Sequence, residues 1–403
     1  MKSRKRLITR RTALKTMTAI GAVLAAPAIV RAQSKPMKLS TLLPLTGAGG
    51  PYGPAMRKSA VAVVAAVNKA GGLFGQEVQY VSEDSQTNPE AAVRAARKLI
   101  DVDKVTGIAG TWASSVTTAI GPLCWESKTM LASLSGADSI TKLPHRGFIL
   151  RTQPIAAAQL TVGTKFMLSD GATRLAGMSV QTPFAQVYFD AMTKTSAEAG
   201  KSVVESVIYE ADKTTYRSEV DKILRAKPDY IFLGGYTPDT IVVLRDLFRA
   251  GFDGKIMAGA FAVNKKLLEA LPQEVTQGIR VFRTSPNVTS AAYKQVQEIQ
   301  GVKNVDPFST HVFDHANLLI LGAAAAGKAD GAAIRDVIRS VSQGSGVAVS
   351  NAVEGIKLLA QGKSVNYAGA TGPCDFDDIG DVKAASFRYD KINKGKPELV
   401  TIM

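Results

Sequence analysis

From Met37 onward the chain alternates short β-rich runs with Ala-rich stretches of helical length, and this alternation restricts the fold more than any other feature. Candidate strands are 37–44, 77–84, 105–110, 129–135, 147–152, 174–180, 202–209, 229–235, 255–260 and 279–284. Candidate helices are 55–70, 89–101, 114–127, 184–199, 215–226, 238–250 and 264–271, with two more near 310–327 and 331–341. A strand that continues into a parallel neighbour needs a crossover of roughly this length, so the pattern predicts βαβ units, parallel sheets and right-handed connections. Helix punctuation agrees. Asn68-Lys69-Ala70-Gly71-Gly72 offers glycine for a left-handed cap, and Thr87-Asn88-Pro89-Glu90 opens a helix with a polar cap, Pro in the first turn and an acid near the positive end. Residues 365–403 read as short β-like runs with turns.

The first 32 residues follow different rules. Lys2, Arg4, Lys5, Arg6, Arg10, Arg11 and Lys15 precede a small-residue apolar stretch from Met17 to Val30, which ends in Val30-Arg31-Ala32. This is a signal peptide pattern with cleavage after Ala32, and the apolar stretch is too short and too interrupted for a retained span. Thr9-Arg10-Arg11-Thr12-Ala13-Leu14-Lys15 resembles a twin-arginine export signal, with Ala where that motif prefers Phe. The chain is therefore expected in the periplasm.

Removing eight basic residues and no acid lowers the formal charge from +15 to +7 over the remaining 371 residues. The residual basic side chains, such as Arg94, Arg97 and Lys98, alternate with apolar ones at helical spacing. They lack interleaved aromatics, so no nucleic-acid surface is expected. A mature chain of this length divides into two domains. Cys124 and Cys374 form no CxxC pair, and of His145, His311 and His315 only the last two share a helical i, i+4 spacing, without an HExxH motif. No metal and no cofactor are expected. Gly-x-Ser-x-Gly and the glycine-rich phosphate loops are absent, so no catalytic residue is assigned and an exported enzyme is the weaker alternative.

Several segments together resemble the type I periplasmic solute-binding proteins, specifically the branched-chain amino acid (Leu/Ile/Val) receptors of ABC transporters. They are Leu43-Pro44-Leu45-Thr46-Gly47 with Tyr52-Gly53, Val67-Asn68-Lys69-Ala70-Gly71-Gly72 with Gly75, and Asp84 with Asn88-Pro89. Gly110-Thr111-Trp112-Ala113-Ser114-Ser115, Pro228-Asp229-Tyr230, Gly234-Gly235-Tyr236, Phe313-Asp314-His315-Ala316 and Gly369-Ala370-Thr371-Gly372 with Phe376-Asp377 and Gly380-Asp381 complete the set. The resemblance implies two doubly wound α/β domains with parallel sheets, joined by a three-crossover hinge with ligand in the cleft. One lobe would hold 33–153 plus 286–371 and the other 154–285 plus 372–403. It also implies a monomer that hands a small-molecule solute to an ABC permease and its ATPase. A ligand-sensing module of a receptor or regulator is the alternative use of this fold.

Ligands of open α/β sheets bind beyond the carboxyl ends of the strands. The loop Thr111-Trp112-Ala113-Ser114-Ser115 opens a helix there, and its N–H groups and hydroxyls favour a carboxylate, although Ser114 can equally cap its own helix. Ala137 and Asp138 occupy the next strand-end loop. Asp138 is positioned to accept a ligand ammonium or to cap a helix over 138–143. By resemblance Tyr52, Trp112 and Tyr236 wall the cleft; Phe184, where relatives commonly show a Tyr, and Phe261 are also expected to bind ligand. For Trp112, core packing is the competing role. One departure matters: relatives place a Glu after the strand matching 255–260, where this chain reads Ala258-Gly259-Ala260-Phe261-Ala262. Without that counter-charge an ammonium is costly to bury, so an aromatic or aliphatic carboxylate rivals an amino acid unless Asp138 supplies the charge.

Overall fold

A computed structural model describes residues 35–403; the expected signal peptide and cleavage after Ala32 lie outside them. The first sheet is built from β1 (Lys38–Leu43), α1 (Gly53–Lys69), β2 (Gln79–Asp84), α2 (Pro89–Arg97), β3 (Gly107–Ala109), α3 (Ser114–Glu126), β4 (Met130–Ser133) and β5 (Ile149–Arg151). Its order is β2-β1-β3-β4-β5, parallel throughout. All but one of the residues of β1, and every residue of β3, β4 and β5, are buried, as expected of strands covered on both faces.

After α4 (Ala156–Ser169) the second sheet begins, through β6 (Arg174–Val180), α5 (Ala185–Glu198), β7 (Ser202–Tyr209), α6 (Arg217–Arg225), β8 (Tyr230–Leu233), α7 (Thr237–Arg249) and β9 (Lys255–Gly259). Two short helices, α8 (Lys265–Ala270) and α9 (Gln273–Thr276), lead to β10 (Arg280–Ser285). The chain then returns to the first sheet with α10 (Ala291–Gln300), α11 (Pro307–Ala326), α12 (Gly331–Val337), β11 (Val347–Val349), α13 (Ala352–Ala360) and β12 (Val365–Tyr367). Finally β13 (Ser386–Asn393) and β14 (Lys396–Ile402) add antiparallel strands to β10, giving the order β14-β13-β10-β9-β8-β6-β7. The chain thus passes between the sheets three times. The last passage falls after Asp381, which still pairs with Arg151 beside β5. That is later than the resemblance implied.

The α/β class and parallel sheets are as expected, and all ten predicted strands are present. Four helices, α4, the single-turn α9, α10 and α13, were not predicted. In α4 the buried stripe is Ala156, Gln159, Leu160, Gly163, Thr164, Phe166 and Met167. Glycine, threonine and glutamine in that stripe blur the 3.6-residue hydrophobic period on which a helix is recognised.

Helix α11 is the central element of the first half. Its residues Pro307 to Ala323 are all buried, and it lies against α1 with Leu319 packed on Gly107 of β3. A helix buried on every side must satisfy its polar groups internally. Asp314 does so by accepting from Tyr367 Oη (2.7 Å), the N–H of Ala370 and of Thr371 (2.8 Å each) and Thr371 Oγ1 (2.6 Å). This explains why Gly369 stands beside it, since a Cβ there would sit 2.5 Å from Asp314 Oδ2. His311 and His315 share one face, as their spacing predicts. Their ring nitrogens lie 2.7 and 2.8 Å from the hydroxyl of Thr152 in the first passage between the sheets. Both cysteines are buried and free.

Candidate ligand-binding site

The carboxyl ends of the parallel strands of both sheets face one crevice. On the first sheet the loop after β3 turns at Gly110, whose φ of +86° and contact with Leu43 leave no room for a side chain. A buried hydroxyl network then fixes the loop. Thr111 Oγ1 donates to Ser133 Oγ (3.0 Å), Thr117 Oγ1 donates to Thr111 Oγ1 (2.7 Å), and Ser135 Oγ lies 2.9 and 3.0 Å from the carbonyls of Thr111 and Trp112. Helix α3 starts at Ser114, where first-turn N–H groups have no acceptor within the helix and carry its positive end.

Ser114 does not cap its own helix. Its Oγ accepts from the N–H of Ala137 (3.1 Å), which joins the β3 and β4 loops and leaves the hydroxyl proton free to donate. Arg151, fully buried, holds the β4 loop from beneath. Its Nη1 donates to the carbonyls of Ser135 (3.3 Å) and Ala137 (2.6 Å), while Nε and Nη2 grip Asp381 Oδ1 at 2.8 and 2.6 Å. Nη2 also reaches Thr141. Nothing in the sequence pattern separates this arginine from a solvated one.

The second sheet supplies the other wall, from the loops after β6, β8 and β9. Trp112 meets Tyr236 across the crevice at 5.0 Å between ring centroids, and Phe184 stands 5.8 Å from Phe261 and 6.2 Å from Tyr236. The two walls are tied together at one edge. Tyr52 Oη donates to the carbonyl of Ala260 and accepts from Asn264 Nδ2 (2.8 Å), which also donates to Thr237 Oγ1. Burial raises the Tyr52 phenol well above its ordinary value, so it stays protonated and donating.

Between these walls lies a cavity of about 50 Å³, several times the volume one water needs. It is lined by Trp112, Ser114, Leu134, Gly136, Gln153, Gln159, Phe184, Tyr188, Tyr236, Phe261 and Phe308. Five of the expected residues, Trp112, Ser114, Phe184, Tyr236 and Phe261, are on this wall. Trp112 also packs on Tyr52 and Phe308, so its packing and lining roles coexist. Tyr52 backs the wall through its contact with Phe308 at 4.9 Å. Ala113, Ser115, Ala137 and Asp138 belong to the same loops but are off the lining. For Asp138 the expectation of a helix over 138–143 needs correction. Its Oδ1 accepts from the N–H of Ala157 (3.1 Å) in the first turn of α4, and residues 138–143 form turns rather than a helix.

Sequence reading missed Gln153, Gln159, Tyr188 and Phe308. Gln159 lies on the unpredicted α4, donating to the carbonyl of Pro154 (2.7 Å) and accepting from Tyr188 Oη (3.1 Å). Phe308 follows Asp306-Pro307, an N-cap whose carboxylate accepts from the N–H of Phe308 and Ser309. That cap was readable from the sequence, and it starts the helix three residues before the predicted 310. Six of the eleven lining side chains are aromatic, and none carries a charge.

Residues 36–378 match the family model described as periplasmic binding protein. The chain is similar to the chemotactic signal transduction system substrate-binding protein BasB of Halobacterium salinarum, with 25% identity over 352 residues, 85% of this chain and 83% of the relative. Among solved structures it is similar to the leucine binding protein LivK from Thermotoga maritima, with a TM-score of 0.78 and 22% identity over 91% of this chain and 98% of that one. It is also similar to an ABC transporter solute binding protein from R. palustris in complex with 4-hydroxybenzoate, with a TM-score of 0.74 and 20% identity over 92% of this chain and 97% of that one.

Proposed function

Because the chain belongs to the periplasmic binding protein family, we propose that it is the extracytoplasmic receptor of an ABC importer and that its cleft takes a small aromatic carboxylate. The observation that carries this reading is the composition of the cavity wall: six aromatic rings, no ionised side chain, and the N-terminus of α3 with the Ser114 hydroxyl at one end. A carboxylate is served by helix N–H groups and a hydroxyl without a full counter-charge. An α-ammonium in the same cavity meets no carboxylate among the lining residues, and Asp138 already accepts at the start of α4. The ligand named for the similar R. palustris receptor is of the favoured class.

In this reading the lobe carrying β1–β5 binds the carboxylate first. Closure then brings Tyr236 and the 259–262 segment over the ring, with Tyr52 locking onto Ala260. The closed monomer is read by a membrane permease with its ATPase. The N-terminal segment directs export, through the twin-arginine route and cleavage after Ala32, to the periplasm. No catalytic step and no cofactor are involved.

A thermal-shift screen of the purified protein against amino acids, aromatic acids and aliphatic acids tests the ligand class, since stabilisation grows with ln(1 + [L]/Kd). Aromatic acids are expected to stabilise. Stabilisation by branched-chain amino acids alone would refute the aromatic-acid reading while leaving the receptor role intact.

A further inference from the structure

We propose that Gln153 reads a hydrogen-bond donor on the ligand, so that the cleft prefers aromatic carboxylates carrying a neutral hydroxyl remote from the carboxylate over their unsubstituted parents. The inference rests on the aromatic-acid reading above and adds a residue and a selection rule to it.

Gln153 is 8% exposed and lines the cavity, yet its Oε1 has no hydrogen-bond partner among the described residues. Its neighbour Gln159 makes the contrast clear. Both ends of that amide are occupied, one by the Pro154 carbonyl and the other by Tyr188 Oη. A buried carbonyl oxygen left without a donor is destabilising, and a ligand that supplies the donor removes that cost at the moment of binding. The acceptor is also held in place. Gln153 precedes Pro154, which confines its backbone to extended conformations, and it follows Thr152, which is fixed by His311 and His315.

The chemistry of the donor follows from the rest of the wall. Gln153 offers a neutral amide oxygen and no lining side chain offers a carboxylate, so a neutral O–H is matched better than an ammonium. Its place on the ring follows from the sheet. Ser114 lies in the loop after β3 and Gln153 in the loop after β5, with β4 between them. Two strand spacings, roughly 10 Å, separate the two loops. A ring therefore reaches both only when its oxygen substituents stand apart from each other. A hydroxyl adjacent to the carboxylate instead bonds to that carboxylate and leaves Gln153 without a donor.

The test measures affinities by calorimetry for benzoate, 2-, 3- and 4-hydroxybenzoate and 4-methoxybenzoate, with the wild-type protein and the Gln153→Leu variant. In the wild type, 3- or 4-hydroxybenzoate is expected to bind about tenfold tighter than benzoate. The 2-hydroxy and 4-methoxy compounds should lack that gain. In Gln153→Leu the ratio should fall to about one, and a cooperative melting transition like that of the wild type shows that the variant is folded. Equal wild-type affinity for benzoate and both remote hydroxybenzoates would overturn the role of Gln153 and leave the aromatic-acid reading standing. An undiminished ratio in the variant would do the same. Failure of every aromatic acid to bind would overturn both readings together.

Discussion

The two walls of the cleft are built on the same strand-end geometry but differ in how their loops are held. The first-sheet wall sets Trp112 and Phe308 beside a polar lattice. Thr111, Ser133, Ser135 and Thr117 bond to one another, Ser114 takes the Ala137 N–H, and Arg151 clamps the loop from below. The second-sheet wall presents Phe184, Tyr188, Tyr236 and Phe261, and its polar contact with the first is the Tyr52–Ala260–Asn264 latch. The difference separates two tasks. A rigid array of buried hydrogen bonds can orient an anion before closure, because its donors need no reorganisation. A set of aromatic faces can accept a ring with little directional demand.

The polar wall breaks most severely at Arg151. Arg151→Met leaves Asp381 buried without its cation and releases the Ser135 and Ala137 carbonyls, a loss of about 3–5 kcal/mol in denaturant unfolding. Ligand binding should fall with it. The same change on a structurally neutral arginine would cost only tenths, so a small effect would remove this residue from the wall's support.

Acid probes the support of Gln153. Burial depresses His311 to about 3 and holds His315 well below its ordinary value, so both rings are neutral in the fold. In the unfolded chain they titrate near 6.5, and the unfolded state therefore binds more protons below that pH. Their contribution is complete above pH 6.5 and is lost as pH falls towards the folded values, at about 1.4 kcal/mol per pH unit for each ring. Melting temperature should fall steeply below pH 6.5, and less steeply in His311→Asn. A parallel profile in that variant would contradict the assignment.

Smaller changes sharpen the contrast between the walls. Trp112→Ala removes ring contacts with Tyr236, Tyr52 and Phe308 and is expected to weaken aromatic-acid binding by about 2 kcal/mol, some thirtyfold, measured by titration calorimetry. Ser114→Ala removes one donor and unpairs the Ala137 N–H, for about 1 kcal/mol in affinity. Asp138→Ala should change aromatic-acid affinity least, by under about threefold, since its carboxylate serves α4. A larger loss at Asp138 than at Ser114 would reverse the assignment of the anion end.

Most of the architecture was legible because parallel strands buried on both faces read as continuous apolar runs, and because caps such as Asn88-Pro89 mark helix starts. Of the six aromatic lining residues Trp112, Phe184, Tyr236 and Phe261 were expected, while Tyr188 and Phe308 were not. Of the polar lining, Ser114 was legible and the two glutamines were not. Gln153 and Gln159 have no local signature, since their roles depend on which amide finds a partner after folding. Helix α4 was hidden by Gly163 and Thr164 in its buried stripe. The partner of Asp138 was not legible because a carboxylate after a strand looks alike whether it meets a ligand or a helix start; the fold gives its Oδ1 the Ala157 N–H.

The central claim is that an uncharged, aromatic-walled cleft with one anion end selects an aromatic carboxylate over an amino acid. Titration calorimetry of the purified protein with 4-hydroxybenzoate and with L-leucine tests it directly. The account predicts binding of 4-hydroxybenzoate at least about a hundredfold tighter than leucine, the cost of leaving an ammonium without a counter-charge. Leucine binding as tightly as the aromatic acid, or tighter, would contradict it.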